Sequence, residues 1–567
     1  MKRSARLRLV AAFCLAPALV PGPGFASPAG APPAAAVRPA ATAGAARAPK
    51  PAAAARPVAS GKSDPLAGLR SGVDQFLQER EEANWANWAG GEPSRLTEVY
   101  ARHADLFTPA TIARVKGAQN ATRDPRERKA LTFLRRFLEG ECVARACVPL
   151  EDSLANAMLS ATVPVDTGRV PWFQLQGWMA NQPDHAKRLA AYAGQDSLLE
   201  ALKPVRQARL DLLRREASAL GYASRFEFYQ EQKGIRFTDL EKEVRAFLAA
   251  TQGVYDSGLT AFAGQLKLSR EELRRPDISR INRLTRYDEY FRADRMLPVM
   301  VQGFAAMGVD VSRQRNIRVD AEARPEKNPR AACFAVRVPG DVRVSVKPAG
   351  GLQDYMALFH EMGHAEHAAC TRQERMEFRY LGTAAYTECM AFATEYLLED
   401  PAWVSANLYM DRDDLWNYAS QASFLRLLLV RRYAGKFLYQ MDLHRGGVRP
   451  EDAYLRNMRL ALGYPMDEHD ARHCYEEDEG FYEADYLQAW FLEAMLKARL
   501  RAKYGPAWYA SPKAGEELRT LWNAGQETTA PELAGKLGYG RVDQRPLADA
   551  LRAAIHGPGP RGLPDKD

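Results

Sequence analysis

Leu352-Gln-Asp-Tyr-Met-Ala-Leu-Phe-His360-Glu361-Met362-Gly363-His364 is the stretch on which the reading of this chain turns. It follows Gly350-Gly351 and has the apolar spacing of a helix that opens near Leu352. His360 and His364 are four positions apart and share one helical face, so both imidazoles can reach a single Zn²⁺ at about 2.0–2.1 Å. Glu361 points beside that pair, where it can take a proton from a water activated by the ion. Its uncharged neighbours suit a site closed on most sides, and Gly363 lets another element come close.

A catalytic zinc needs a third protein ligand. Glu388 stands 28 residues after His360, in Tyr386-Thr387-Glu388-Cys389-Met390. The segment Thr383 to Leu398 reads as a second helix, mostly apolar with isolated carboxylates. Such a carboxylate is costly to bury unless it is paired or metal-bound. Glu395, two turns on, is the rival ligand, and the reading of a solvated face applies to it and to Glu399. Spacing favours Glu388.

Just upstream, Cys333-Phe-Ala-Val-Arg-Val and Val342-Arg-Val-Ser-Val alternate around Pro339-Gly340-Asp341, which predicts a β-hairpin. Beside such a motif it is either an ordinary small sheet or an edge that takes up an extended peptide by strand addition. Elsewhere helical periodicity dominates from residue 66 to about 555. It is clearest over 66–89, 93–118, 126–140, 185–222, 239–266 and 284–307, with breaks such as Pro164 to Pro171.

Charge narrows the function classes. The 567 residues carry 78 Lys+Arg against 70 Asp+Glu, a net charge of +8. Residues 1–65 hold nine basic side chains and one acid, Asp64, so residues 66–567 are formally neutral. A neutral body lacks the surplus that binding to a phosphate backbone usually needs, and nucleic acid is excluded as a partner. The basic residues Lys2 to Arg8, the apolar stretch Leu9 to Val20 and Gly24-Phe25-Ala26 read as an export signal over 1–26. An Ala/Pro-rich flexible tether follows over 27–65. A helical part over 66–330, a catalytic part over 331–555 and a disordered tail over 556–567 complete the predicted organisation. Beyond the signal no apolar run approaches the ~18 residues of a membrane span.

Loss of Cys14 with the leader leaves six cysteines of the seven. Cys142 and Cys147 are close enough in sequence to close a small loop in an oxidising compartment.

The set from His360 to Glu388 resembles the gluzincin site shared by the angiotensin-converting-enzyme and thimet oligopeptidase/oligoendopeptidase F families. HEMGH is similar to the first family, and the added His367 of HEMGHAEH resembles the second. The resemblance implies that His360, His364 and Glu388 bind one Zn²⁺ per chain and that Glu361 is the general base. It extends to Asn84-Trp85-Ala86-Asn87-Trp88, to Cys142-x4-Cys147-Val-Pro-Leu and to Gly221-Tyr222-Ala223-Ser224, and so covers roughly 75–555. Gly480-Phe481-Tyr482-Glu483-Ala484-Asp485-Tyr486-Leu487 is similar to the tyrosine-rich segment of oligoendopeptidases. By that likeness Tyr486 stabilises the oxyanion, Tyr482 contacts substrate, and His473 or His469 donates to substrate. The chain departs from the converting-enzyme pattern after Phe481, where it lacks an Arg between two tyrosines, which puts anion activation in doubt. Arg472 and Lys347 are the candidates for holding a peptide's terminal carboxylate. The likeness also assigns Phe334 and Ala335, on the strand Phe334–Arg337, to the substrate backbone.

The expectation is therefore a mostly α, two-lobed peptidase with a deep central channel and a small β-hairpin beside the zinc helix. It would be an exported, periplasmic or secreted monomer acting on short peptides, as an oligoendopeptidase or a peptidyl-dipeptidase. The alternative is a non-catalytic zinc- or peptide-binding envelope protein that keeps the fold.

Overall fold

A computed structural model describes residues 64–166, 168–475 and 479–556. The signal segment 1–26, nearly all of the 27–65 tether and the tail from 557 lie outside the described residues. Helix accounts for 71% and strand for 5%, so the mostly α expectation holds at this level. The helices that build the site are α1 (Ala67–Gly90), α2 (Pro125–Ser160), α3 (Asp196–Ala219), α4 (Arg225–Lys233), α5 (Leu352–Cys370), α6 (Ala384–Glu395), α7 (Arg412–Arg445) and α8 (Tyr482–Tyr504). Among the described residues no helix is long and apolar enough to cross a membrane.

The helical stretches read from periodicity are present, with different punctuation, except that of 284–307 only Met296–Ala306 is α-helix, after short 3₁₀ turns. Leu96–Arg102 and Pro109–Ala121 divide the 93–118 stretch, and Phe237–Ala250 and Gln252–Gln265 divide 239–266. The 126–140 stretch belongs to the much longer α2, which Asp124 caps by accepting from the Arg126 N–H at 2.9 Å. Cys142 and Cys147 both lie inside α2, so the segment between them is helix and no small loop forms. Five positions along a helix place two side chains about 140° apart around its axis.

The hairpin forms as β4 (Ala332–Arg337) and β5 (Asp341–Ser345), in antiparallel register with Cys333 opposite Val344. A strand not anticipated, β3 (Ile317–Asp320), joins β5 in parallel, giving the order β3-β5-β4. β4 is thus an edge strand. A second hairpin, β1 (Thr162–Val165) with β2 (Gly168–Pro171), stands where a break was expected.

Helix α5 opens as its sequence requires. Gly350 and Gly351 both have positive φ, and a Cβ at Gly350 would lie 3.0 Å from the Phe291 carbonyl oxygen. Asp354 ties the turn by accepting from the N–H groups of Ala349 at 2.7 Å and Gly350 at 2.9 Å. Leu352, Tyr355, Leu358, Phe359 and Met362 bury one face in the main core, each worth about 1.5–3 kcal/mol on general grounds. That packing leaves His360, Glu361 and His364 turned toward a cavity.

Helix α6 packs against both α5 and α8. The approach to α5 is tight at Gly363, where a Cβ would lie 2.4 Å from Thr394 Oγ1 and 2.7 Å from Ala391 Cα. The Thr394 hydroxyl donates to the Phe359 carbonyl at 2.7 Å across the same contact.

Candidate metal and peptide site

Three side chains from α5 and α6 converge. His360 Nε2 and His364 Nε2 are 3.1 Å apart, and Glu388 Oε2 is 3.3 Å from the first and 3.6 Å from the second. Ligands around a tetrahedral ion at about 2.05 Å are separated by about 3.3 Å, so the triangle has the size of one face of such a site. Among the described residues these three are the group whose donor atoms could hold one metal ion. Glu388 Oε2 is buried without a hydrogen-bond donor of good geometry, which fits a carboxylate waiting for a cation.

The electrostatics agree. Burial alone would raise the Glu388 pKa, but His364 and His360 hold it well below the usual carboxylate range. Burial opposes charge on His360, and Glu388 with Glu395 overrides it and raises its pKa well above the ordinary value. Negative charge is therefore gathered around nitrogen and oxygen donors that suit zinc.

Glu395 is neither a ligand nor a solvated residue. Its Oε2 lies 2.8 Å from His360 Nδ1, which fixes that ring with Nε2 toward Glu388 and His364. Glu399 is not on a solvated face either. It is buried beside Arg426 at 3.4 Å, and burial pushes its carboxyl up to about 7. His367 Nε2 donates to the Gly525 carbonyl oxygen, 2.9 Å away, and burial lowers its pKa to about 4, so it stays neutral.

Glu361 is held from the other side. Its Oε2 accepts the Cys333 N–H of the edge strand at 2.7 Å. A cavity of about 450 Å³ contains Glu361, the three converging side chains, Ala335 and Tyr482 in its wall. Strand alternation sorts the two residues assigned to substrate. Ala335 faces the cavity, whereas Phe334 turns away and packs on Trp85 and Trp88 of α1, with ring centroids 5.5 and 6.4 Å away. The Phe334 side chain is thus part of a small core, and any contact of that residue with a peptide is through backbone.

The tyrosines separate in the same way. Tyr482 lines the cavity; Tyr486, 3% exposed, packs behind it, 4.5 Å between centroids and stacked on Tyr433. Burial, then Glu388 and Tyr482 nearby, raises the Tyr486 pKa well above the ordinary value.

Four sequence candidates lie elsewhere. His473 stacks on Tyr192 at 5.7 Å and 16°, outside the cavity wall. His469 Nδ1 meets Asp196 Oδ2 at 2.6 Å. Arg472 pairs with Asp196 and Glu200, and Lys347 donates to the Arg324 carbonyl at 2.9 Å. The short helical turns over 468–475 carry both histidines and Arg472 toward α3 rather than toward His360, His364 and Glu388.

Other residues were missed. Arg330 shares the space of Glu361, Tyr486, Tyr433 and Tyr482, and burial lowers its pKa. Its carbonyl accepts from Trp88 Nε1 at 2.9 Å, so α1 fixes the start of the edge strand. Asp485 pairs with Lys233 of α4 across the cavity wall, and burial raises its pKa despite that partner. The i, i+7 spacing of Glu388 and Glu395 was the available signal for the carboxylate behind His360. Compared with known proteins, no family model matches the chain, and no curated protein matches it.

Proposed function

We propose that this protein is a zinc-dependent peptidase acting on short unfolded peptides. The observation that carries the reading is the triangle of His360, His364 and Glu388 donors with Glu361 beside it, in one cavity with the free edge of β4. Zinc held there would act as a Lewis acid on the peptide carbonyl and would acidify water.

The chain's own residues supply the rest. An extended peptide pairs with the outward backbone groups around Ala335, which places its carbonyl near Glu361. Glu361 takes the proton of the attacking water and passes it to the leaving amine. Tyr482, which lines the cavity, donates to the carbonyl oxygen as charge develops, with Tyr486 packed behind it. Glu395 keeps His360 in the orientation that the metal needs.

In this reading the 66–330 helices and the 331–555 part are two lobes around a channel that admits unfolded chains and excludes folded proteins. The basic leader suits export to a periplasmic or secreted location. The first test is metal content after purification without chelator. One zinc per chain, lost on joint replacement of His360 and His364, is expected; a clean preparation far below one overturns the reading.

A further inference from the structure

The free edge of β4 has two fixed ends. At one, the Cys333 N–H is taken by Glu361; at the other, the N–H of Val338, just past the strand, donates to the Tyr380 hydroxyl at 2.9 Å. From Cys333 to Val338 an extended chain covers about 17 Å, the length of about five residues. A peptide paired along this edge is therefore carried from the metal-ligand cluster to Tyr380.

Tyr380 is also in the wall of a second cavity, about 230 Å³, which opens between α1 and α2. Arg80, Gly140, Tyr380 and Thr383 wall both cavities, so the two are contiguous. The partition is thin at Gly140 of α2: a Cβ there would meet only Gln232 Oε1, at 3.4 Å. Phe133, Arg136 and Phe137 wall the second cavity alone, and Arg80 of the shared wall is paired to Glu141 at 2.8 Å. Two rings and two guanidinium groups give this space a wall that is part apolar and part cationic.

We propose that this side cavity is the exit for one flank of the bound peptide, so that chains longer than the main cavity can be held with their scissile bond at the metal ligands. The inference rests on the peptidase reading and adds its substrate class: unfolded segments with a long extension on one side, not only small peptides. The end of the extended chain on that side is not recognised. It runs out through the wall between α1 and α2.

The test uses the full chain loaded with zinc, with Gly140→Leu as a plug. Leucine favours helix over glycine, and its side chain points into the shared space, so the fold is retained. The probe is a fluorescent peptide already found to be cleaved, padded with Ser-Gly repeats by about two or about ten residues on either flank, lengths that stop short of Tyr380 or pass it. Affinity is read by anisotropy in the Glu361→Gln background, and kcat/KM in the active enzyme. The proposal expects the unplugged chain to bind the peptide with a long pad on one flank as tightly as the short one. It expects Gly140→Leu to weaken that long peptide about tenfold while leaving the short one unchanged. Gly140→Ala, which fits the space, should behave as the unsubstituted chain. If a long pad abolishes binding without the plug whichever flank carries it, or if the plug weakens long and short peptides equally, the side exit is wrong. The first arm does not depend on the plug variant folding. Absence of any hydrolysis sinks the peptidase reading, whereas hydrolysis that ignores both length and plug sinks only the exit.

Discussion

Glu395 Oε2 lies 2.8 Å from Nδ1 of His360, on the opposite side of the ring from the Nε2 that meets His364 and Glu388. A carboxylate in that place fixes the tautomer and the ring plane of a ligand that one covalent stem alone would leave free to turn. Glu395→Ala should lower zinc affinity about 10–100-fold, read by competition with a chelator of known affinity. Glu395→Gln, which keeps an acceptor oxygen, should recover most of it. Unchanged affinity in the alanine variant would remove Glu395 from the site.

Gly363 brings α5 and α6 together. A methyl at this position would lie 2.4 Å from Thr394 Oγ1, 2.7 Å from Ala391 Cα and 2.9 Å from the Met390 carbonyl oxygen. Backbone atoms cannot step aside as a flexible side chain can, so Gly363→Ala should destabilise by about 1–3 kcal/mol. A denaturant midpoint measures this, and an unchanged midpoint would contradict the close contact. Zinc affinity should fall in the same variant, since the helix that moves carries Glu388.

Tyr482 and Tyr486 can be told apart by removing one oxygen from each. With Tyr482 in the cavity wall, Tyr482→Phe should cost about 10²-fold in kcat with little change in KM. Tyr486→Phe keeps its ring against Tyr433 and Phe392 and should cost less. The reverse order would make Tyr486 the donor to the oxyanion.

Acid should loosen the sheet that carries the edge strand. Burial raises the Asp320 pKa, yet Arg324 and Lys327 outweigh it and hold the carboxyl down to about 2. Lys327 Nζ, fully buried, reaches Asp320 Oδ1 at 3.0 Å and the Val346 carbonyl at 2.9 Å, so the pair ties β3 to the end of β5. A folded pKa below the unfolded value of about 3.9 means that this stabilisation is complete above that pH and is lost as pH falls toward 2. Asp320→Asn should flatten that limb of a stability profile between about pH 4 and 2. An identical acid limb in both proteins would refute the assignment.

Much of the site was legible because its determinants are local. The helix start at Gly350-Gly351, the His360/His364 spacing and the alternation of Cys333 to Val338 are each fixed within a few residues. What was missed depends on contacts between distant segments. Strand β3 has four residues and pairs in parallel with β5, so neither length nor a turn signals it. The β1–β2 hairpin is hidden by Pro164 and Pro171, which read as breaks although both sit in strands. Cys142 and Cys147 suggested a loop, because spacing alone does not show that a helix runs through both. His473 has the right residue type near the right segment, and only the turn at 472–475 shows that it stacks on Tyr192. Tyr482 and Tyr486 are one helical turn apart, and the sequence does not say which is nearer the cavity.

In the proposed reaction Glu361 abstracts a proton during peptide hydrolysis beside a metal held by His360, His364 and Glu388. The most direct measurement is mass spectrometry of a mixed peptide library after incubation with zinc-loaded protein, unsubstituted or Glu361→Gln. New termini are expected with the unsubstituted chain and none with Glu361→Gln, at equal zinc content. Equal cleavage by both, or no cleavage by a fully zinc-loaded unsubstituted chain, would contradict it.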